Sequence, residues 1–304
     1  MTDPRGVPGG KPCIAFVTMV RDDQFFLRLW VEHYARHVPR QHLFILVDGF
    51  DQTLPAFAAG CQIITLPRLA PGPGWDTRRW DMLADFAATL LGRFEVVVLN
   101  DVDELILPDP ASGLDLLEAI GRARETGVIT PFAVEVVHRF DLCPDPIDPG
   151  RPVLAQRPHV RVNDAYAKPC ITSVPVRWNL GGHRSDFPTL NLDEALYLFH
   201  LRFVDRDMLL ARQAARNAMM AASVTDQPVV AGSGWAKSGG EIERFLLDLQ
   251  SHGAPVETDF SFAEKRRRMR AGWLQDPGSG LWQMGRTYDR NRTFVVPERF
   301  RTLI

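Results

Sequence analysis

The chain has 304 residues, 45% of them hydrophobic and 24% charged, enough to bury at least one substantial core and, by size, to form one large domain with an appendage or two domains. Lysine and arginine total 35 against 37 aspartates and glutamates, so no global field draws the chain to nucleic acid or to an anionic membrane. The opening MTDPRGVPGGKP lacks the apolar run of a signal peptide, no stretch approaches the ~20 apolar residues of a membrane span, and Cys13, Cys61, Cys143 and Cys170 form no CxxC pair. A cytoplasmic protein with buried, reduced thiols is the expectation.

After this Pro/Gly-rich lead-in, CIAFVTMV (13–20) is a continuous apolar run with β-branched residues, the pattern of a strand buried on both faces. DDQFFLRLWVEHYARHV then places Phe26, Leu27, Trp30, Val31 and Tyr34 at helical spacing. HLFILVD (42–48) predicts a second strand, CQIITLP (61–67) a third, DTRRWDMLADFAATLLGRF (76–94) an amphipathic helix and FEVVVLN (94–100) a fourth strand. Strands alternating with helices at this spacing predict βαβ units and a mostly parallel, doubly wound α/β sheet.

Beyond Pro110 the pattern loosens, with strand-like runs at GVITPFAVEVVHRF (127–140), AKPCITSVPVRW (167–178) and EALYLFHLRF (194–203). From about Asp205 three helical stretches appear, DRDMLLARQAARNAMMAA, GEIERFLLDLQ and FAEKRRRMRAGWLQ. The outline is a core over 12–205 and a helical C-terminal extension over 206–304. The tail RTFVVPERF is too short to classify. The basic run EKRRRMR (264–270) spreads around a helix and reads as a solvated face, with peripheral attachment to an anionic membrane or an acidic polysaccharide as its functional alternative. Trp235, Trp273 and Trp282 read as core, with a sugar-stacking platform as the alternative.

The chemistry concentrates in FEVVVLNDVDELILPDP (94–110), where Asp101, Asp103 and Glu104 succeed an apolar strand. Ligands of open α/β sheets bind at the carboxyl ends of strands. In extended chain an i, i+2 pair points to one face, which places Asp101 and Asp103 together, Val102 in the core, and Glu104 opposite as a brace for the loop. Two carboxylates held that close repel without a cation, and a hard divalent ion, Mg²⁺ or Mn²⁺, suits them.

FEVVVLNDVDELILP resembles the DxD segment of nucleotide-sugar glycosyltransferases with the GT-A fold, a Rossmann-like sheet with helices on both faces. FVTMVRDDQFFLRLWVEHYARHVPRQHLFILVDGFDQT resembles the opening of the family-2-like members, although Asp22-Asp23 stands where they carry Asn-Glu, which weakens any role for that pair. The resemblance covers 13–110 well and 111–205 loosely. It implies transfer from a nucleoside-diphosphate sugar, UDP-sugar favoured, to a glycan or lipid-linked acceptor, with inversion.

On the matching positions the resemblance implies Asp103 as direct metal ligand, Asp101 at the ribose and at the metal through water, Asp48 near the uracil or ribose, and Thr18, taken as the end of the first strand, near the base. Arg78 and Arg79 stand at a helix N-terminus, where the dipole disfavours cations, and a bound diphosphate would reconcile them. A further metal ligand of histidine type is sought at His200, which closes an apolar strand pattern, or at His183 in a Gly-flanked loop whose preceding block AKPCITSVPVRW resembles one in related transferases. Inversion needs a general base, which the resemblance implies is a carboxylate, and Glu135, Asp141 and Asp186 all fall in the region expected to face the acceptor. Asp186 is preferred for its nearness to His183, and Glu135 is kept beside it.

Two rivals stand beside transfer. A phosphatase of the haloacid dehalogenase type also uses DxD, but wants it after the first strand and a Thr or Val where Leu105 stands. A transferase-like fold that binds nucleotide or glycan without turnover is the other.

Overall fold

The computed structural model describes residues 13–179, 181–221, 237–285 and 292–304. In chain order β1 (Ile14–Val20), α1 (Gln24–Tyr34), β2 (Leu43–Asp48), β3 (Gln62–Leu66), α2 (Trp75–Leu90) and β4 (Val96–Leu99) form where the apolar runs predict them. The stripe Phe26, Leu27, Trp30, Val31 and Tyr34 of α1 is fully buried against β1 and β2 residues such as Phe16 and Ile45. The chain packs α2 on the other face through Trp80, Leu83, Ala84 and Ala87, with Ala15, Val17 and Val97 beneath. All three pairings among these strands are parallel, in the order β3-β2-β1-β4. Strand order reverses at β1, and in open α/β sheets such a switch marks where ligands bind, here the carboxyl ends of β1 and β4.

The second half changes the character of the sheet. It contributes β5 (Glu104–Pro108), α3 (Leu116–Gly121), α4 (Ala123–Thr126), β6 (Val128–Val137), α5 (Val153–Gln156), β7 (His159–Val162), β8 (Ile171–Thr172), β9 (Trp178–Asn179), β10 (Arg184–Ser185) and β11 (Leu192–Phe203). β8 lies antiparallel to both β4 and β6, β7 antiparallel to β6, and β5 antiparallel to β11, while β6 and β11 run parallel. The result is a ten-stranded mixed sheet with a parallel half. AKPCITSVPVRW yields only the short β8 and the first residue of β9, because Pro169 and Pro175 interrupt it and cannot donate to a ladder.

Beyond Asp205 come α6 (Arg206–Ala221), α7 (Gly239–Gln250), α8 (Ala263–Ala271), β12 (Trp273–Gln275), β13 (Trp282–Met284) and β14 (Phe294–Val295). This stretch is neither purely helical nor separate from the core. β14 extends the large sheet beside β7, and β12 and β13 join β10 and β9 in a four-stranded antiparallel sheet. Phe260, Phe262, Met269, Phe294, Phe300 and Ile304 share one apolar cluster with Phe132 and Phe199. The expected boundary at 205/206 is therefore bridged by the hydrophobic core.

Three smaller expectations are corrected. In the basic run Arg267 and Arg268 are solvated and paired with Glu264, but Arg266 is 1% exposed, with its guanidinium 4.4 Å above the Phe132 ring and a hydrogen bond to the Asp193 carbonyl. Trp273 and Trp282 are a half-buried stacked pair, ring centroids 6.3 Å apart, rather than core, and Trp235 lies outside the described residues. The cysteines are free thiols as expected, but only Cys170 is fully buried. No described helix is long and apolar enough to cross a membrane.

Candidate functional site

The site starts from Asn100, buried at the end of β4. Its amide accepts from Trp30 Nε1 at 3.3 Å and donates to Tyr34 Oη at 3.3 Å and to the Glu104 carbonyl. Helix α1 thereby fixes where the chain leaves the sheet. From Asn100 the backbone enters a tight turn rather than continuing extended: the Glu104 amide donates to the Asp101 carbonyl at 3.0 Å, and β5 begins at once. The i, i+2 geometry expected for Asp101 and Asp103 does not apply, and their carboxylates go to different partners. Val102 is the buried anchor expected of it, and Glu104 braces the turn, accepting from the Asp101 amide at 3.1 Å.

Asp101 Oδ2 lies 2.6 Å from Lys168 Nζ, and the same ammonium lies 2.6 Å from Glu104 Oε1. Lys168 is 2% exposed, so two carboxylates hold a buried cation. Burial pulls its pKa down, but Asp101 and Glu104 outweigh that and leave it raised, so it is charged at any physiological pH. Burial raises Asp101 too, and Lys168 more than offsets it, leaving this carboxyl below the ordinary carboxylate range. Glu104 is the member that yields: burial, with Asp101 adding to it against the pull of Lys168, lifts it to about 7.

Asp103 faces away from this pair. Its Oδ2 accepts from Arg212 Nη1 at 3.0 Å, and Arg212 also lies 2.8 Å from Asp23. Asp22 adopts a left-handed φ of +55°, which turns the chain so that Asp23 meets α6. Asp103 Oδ1 stands 3.9 Å from His200 Nε2, and His200 Nδ1 is 3.4 Å from Glu135 Oε1. Glu135 in turn accepts from Arg161 Nε at 2.5 Å. Tyr166 stacks on His200 with centroids 4.1 Å apart and meets His183 edge-on at 5.0 Å, so one ring ties the two candidate histidines together. Burial, helped by Lys168, holds His183 down at about 3, so its imidazole is neutral, and its buried Nδ1 has no hydrogen-bond partner.

Of the predicted residues, Asp48, Arg79, Asp101, Asp103, His183 and His200 are brought to one region. Asp48 ends β2 as expected and its carboxyl is raised by burial, against the pull of Arg21, Arg68 and Arg79; Arg79 also pulls on Asp101. Arg79 is pinned at the start of α2 by Asp76 at 2.7 Å and by the Trp75 and Trp80 rings. Four predictions fail. Thr18 lies inside β1, fully buried with its hydroxyl unpartnered, because the strand runs on to Val20. Arg78 is exposed and turns back to the Pro73 carbonyl at 2.9 Å. Asp186 is exposed and accepts from the Arg177 amide at 2.9 Å, closing the β9–β10 hairpin instead of facing an acceptor. Glu135 is fully buried; burial raises its carboxyl, but Arg161 and then His200 outweigh it and hold it near 2, which makes it a support for His200 rather than a proton acceptor.

Sequence reasoning missed Lys168, Asp23, Tyr166 and Arg212. Lys168 sits in the very AKPC block that carries part of the resemblance. Asp23 was discounted for departing from the family pattern, and only its pairing with Arg212, 189 positions away, explains it.

A divalent ion at Asp101, Asp103 and His200 was expected, and these residues do not fit it. Each carboxylate is already neutralised by a protein cation, and among the described residues no group of three or more His, Cys, Asp or Glu is placed to hold a metal. Hard divalent cations need several converging oxygens, which the turn disperses.

The loop carrying His183 depends on one contact. Gly182 has φ +74°, and a Cβ there would meet Trp80 Cη2 at 2.8 Å, so only glycine lets the hairpin close on α2. Gly182→Ala is expected to cost about 2–4 kcal/mol in urea unfolding, combining backbone strain with a clash. Gly253→Ala, at φ +72° with nothing within 4 Å, carries the strain alone. Equal losses for the two would remove the packing argument.

These observations define an α/β protein with a cluster of largely buried polar and charged side chains at the carboxyl ends of a parallel half-sheet. Compared with known proteins, the chain matches no family model, and no curated protein is significantly similar to it.

Proposed function

We propose that the chain is a glycosyltransferase with a GT-A-like core that moves a sugar from a nucleoside-diphosphate sugar, UDP-sugar favoured, to a hydroxyl of a glycan or lipid-linked acceptor. The observation that carries this is the gathering of Asp48, Arg79, Asp101, Lys168 and His183 around the switch in strand order, where α/β sheets bind nucleotides. The acceptor oxygen bonds to the anomeric carbon as the bond from that carbon to the diphosphate oxygen breaks. The diphosphate departs with the electron pair, and the acceptor proton passes to a base. Cations fixed beside the diphosphate stabilise the charge that develops on it.

A thermal-shift panel of nucleotide sugars tests the reading. At least one donor should raise the apparent melting temperature by about 5 °C at a hundredfold excess over its Kd. Release of nucleoside diphosphate with an acceptor mixture separates catalysis from binding. The rival, a binder without turnover, draws on Glu135 being engaged by Arg161 and His200 and Asp186 by the Arg177 amide, so that neither is placed to take the acceptor proton. Binding without release of nucleoside diphosphate would favour it, and no binding to any nucleotide sugar would end the transferase reading and leave of the rival only a glycan binder.

A further inference from the structure

A cavity of about 510 Å³ lies at the start of α6, a volume within the range of ligand pockets. One wall is the loop that follows β6, from His138 to Ile147, and the other is Asp205–Asp207, where β11 hands over to α6. Two buried side chains fix these walls against each other. His138 Nε2 donates to the Cys143 carbonyl at 3.0 Å while its Nδ1 accepts from the Arg206 amide at 3.1 Å, which defines a neutral imidazole. Arg157 donates to the Asp145 carbonyl at 2.8 Å and to the Val204 carbonyl at 3.0 Å. The cavity is therefore shaped before any ligand arrives, which lowers the entropic cost of binding. From Arg206 at its rim, α6 runs six residues, or about 9 Å, to Arg212 beside Asp103.

The two walls differ in chemistry. The loop supplies Phe140, Pro144, Pro146 and Ile147, an apolar surface, and the start of α6 supplies Arg206 and Asp207. A hydrocarbon chain would match only the first wall. An anion is poorly served by the second: Asp205 already caps α6, accepting from the Asp207 and Met208 amides at 3.0 Å, and Arg206 is paired with Glu243 at 2.6 Å. Arg157 is turned to Asp205 at 3.6 Å, and Asp145 and Asp207 are exposed carboxylates that repel a further negative charge. A sugar ring matches both walls, since its C–H face packs on aromatic and apolar surface while its hydroxyls donate to a carboxylate and accept from a guanidinium. We infer that this cavity is a subsite for an uncharged sugar. Its role rests on the transferase reading, under which it seats a part of the acceptor glycan remote from the reacting hydroxyl.

Calorimetric titration of the full chain with maltohexaose, cellohexaose, xylohexaose and N-acetylchitohexaose, all uncharged, and with oligogalacturonate as the anionic comparison, tests this. At least one uncharged oligosaccharide is expected to bind, with oligogalacturonate weaker by about tenfold or more. Phe140→Ala should weaken that binding about tenfold, and Asp207→Asn, at an exposed position that leaves the fold intact, about fivefold. No uncharged oligosaccharide bound, oligogalacturonate bound as tightly, or affinity unchanged in both Asp207→Asn and folded Phe140→Ala would overturn the inference. Saccharide binding that meets these expectations while no nucleotide sugar is turned over would sink the transferase reading alone. Turnover of a nucleotide sugar with none of the oligosaccharides bound would sink the subsite alone.

Discussion

Lys168→Met is expected to destabilise the fold by about 3–5 kcal/mol at pH 8, the cost of leaving buried carboxylates without their cation. Methionine keeps the volume of the lysine stem, so the loss reads charge rather than packing. The pH dependence gives the signature. Glu104 has its carboxyl raised in the folded protein to about 7 from an ordinary 4.5, so the folded state binds a proton there that the unfolded chain has not yet taken up. Its contribution is therefore present below the unfolded value and is lost as pH rises through about 7. Without Lys168 the carboxyl climbs further, the folded protein stays protonated to higher pH, and only Asp101, 37% exposed, remains charged. Urea unfolding from pH 8 down to pH 5 should show the difference between Lys168→Met and wild type shrinking by half or more. A loss below ~1 kcal/mol at pH 8, or a loss that grows on acidification, would refute the buried-triad account.

Asp101→Asn should do the reverse, sparing the fold and removing activity. Its side chain is open to solvent on one side, and Lys168 keeps Glu104 as partner, so unfolding should shift by less than about 1 kcal/mol. Under the proposed function the asparagine no longer holds the Lys168 ammonium toward the donor, nor offers the carboxylate that the resemblance sets against the ribose. Turnover is expected to fall roughly 100-fold, or ~2.7 kcal/mol of transition-state stabilisation. Removing the negative charge that pushes Glu104 up also moves its titration toward the ordinary range, a shift that carboxyl NMR on labelled protein reads directly. Unchanged turnover with the titration moved would separate Asp101 from the chemistry while leaving its electrostatic role intact.

The first half of the fold was legible because each element carries its own period. The five apolar residues of α1 recur at helical spacing, and β1, β2 and β4 are unbroken apolar runs; both patterns reflect burial against a sheet and need no distant partner to be read. β5 was not legible. No strand was expected at ELILP beyond FEVVVLN, and only pairing with β11, where Leu105 faces Phe199 and Glu104 faces His200, makes it one. The same pairing brings His200 beside the turn, so the histidine was found from its strand pattern while its neighbours were not. β12 to β14 were equally hidden, since strands of two or three residues have too little pattern to detect and exist here through their partners.

By itself the sequence determined an α/β core, the position of the acidic turn at a strand end, and the set of residues from which a site could be built. Local spacing decides which way a helix face or a strand points, and that information lies within a few residues. Tertiary structure alone decided which cation meets which carboxylate: Lys168 with Asp101 and Glu104, Arg212 with Asp103 and Asp23, Arg161 with Glu135. Such pairs form between groups 26 to 189 positions apart, where charge in the sequence carries no address. A pair of aspartates that looked open to a metal is therefore, in the folded chain, already answered by lysine and arginine.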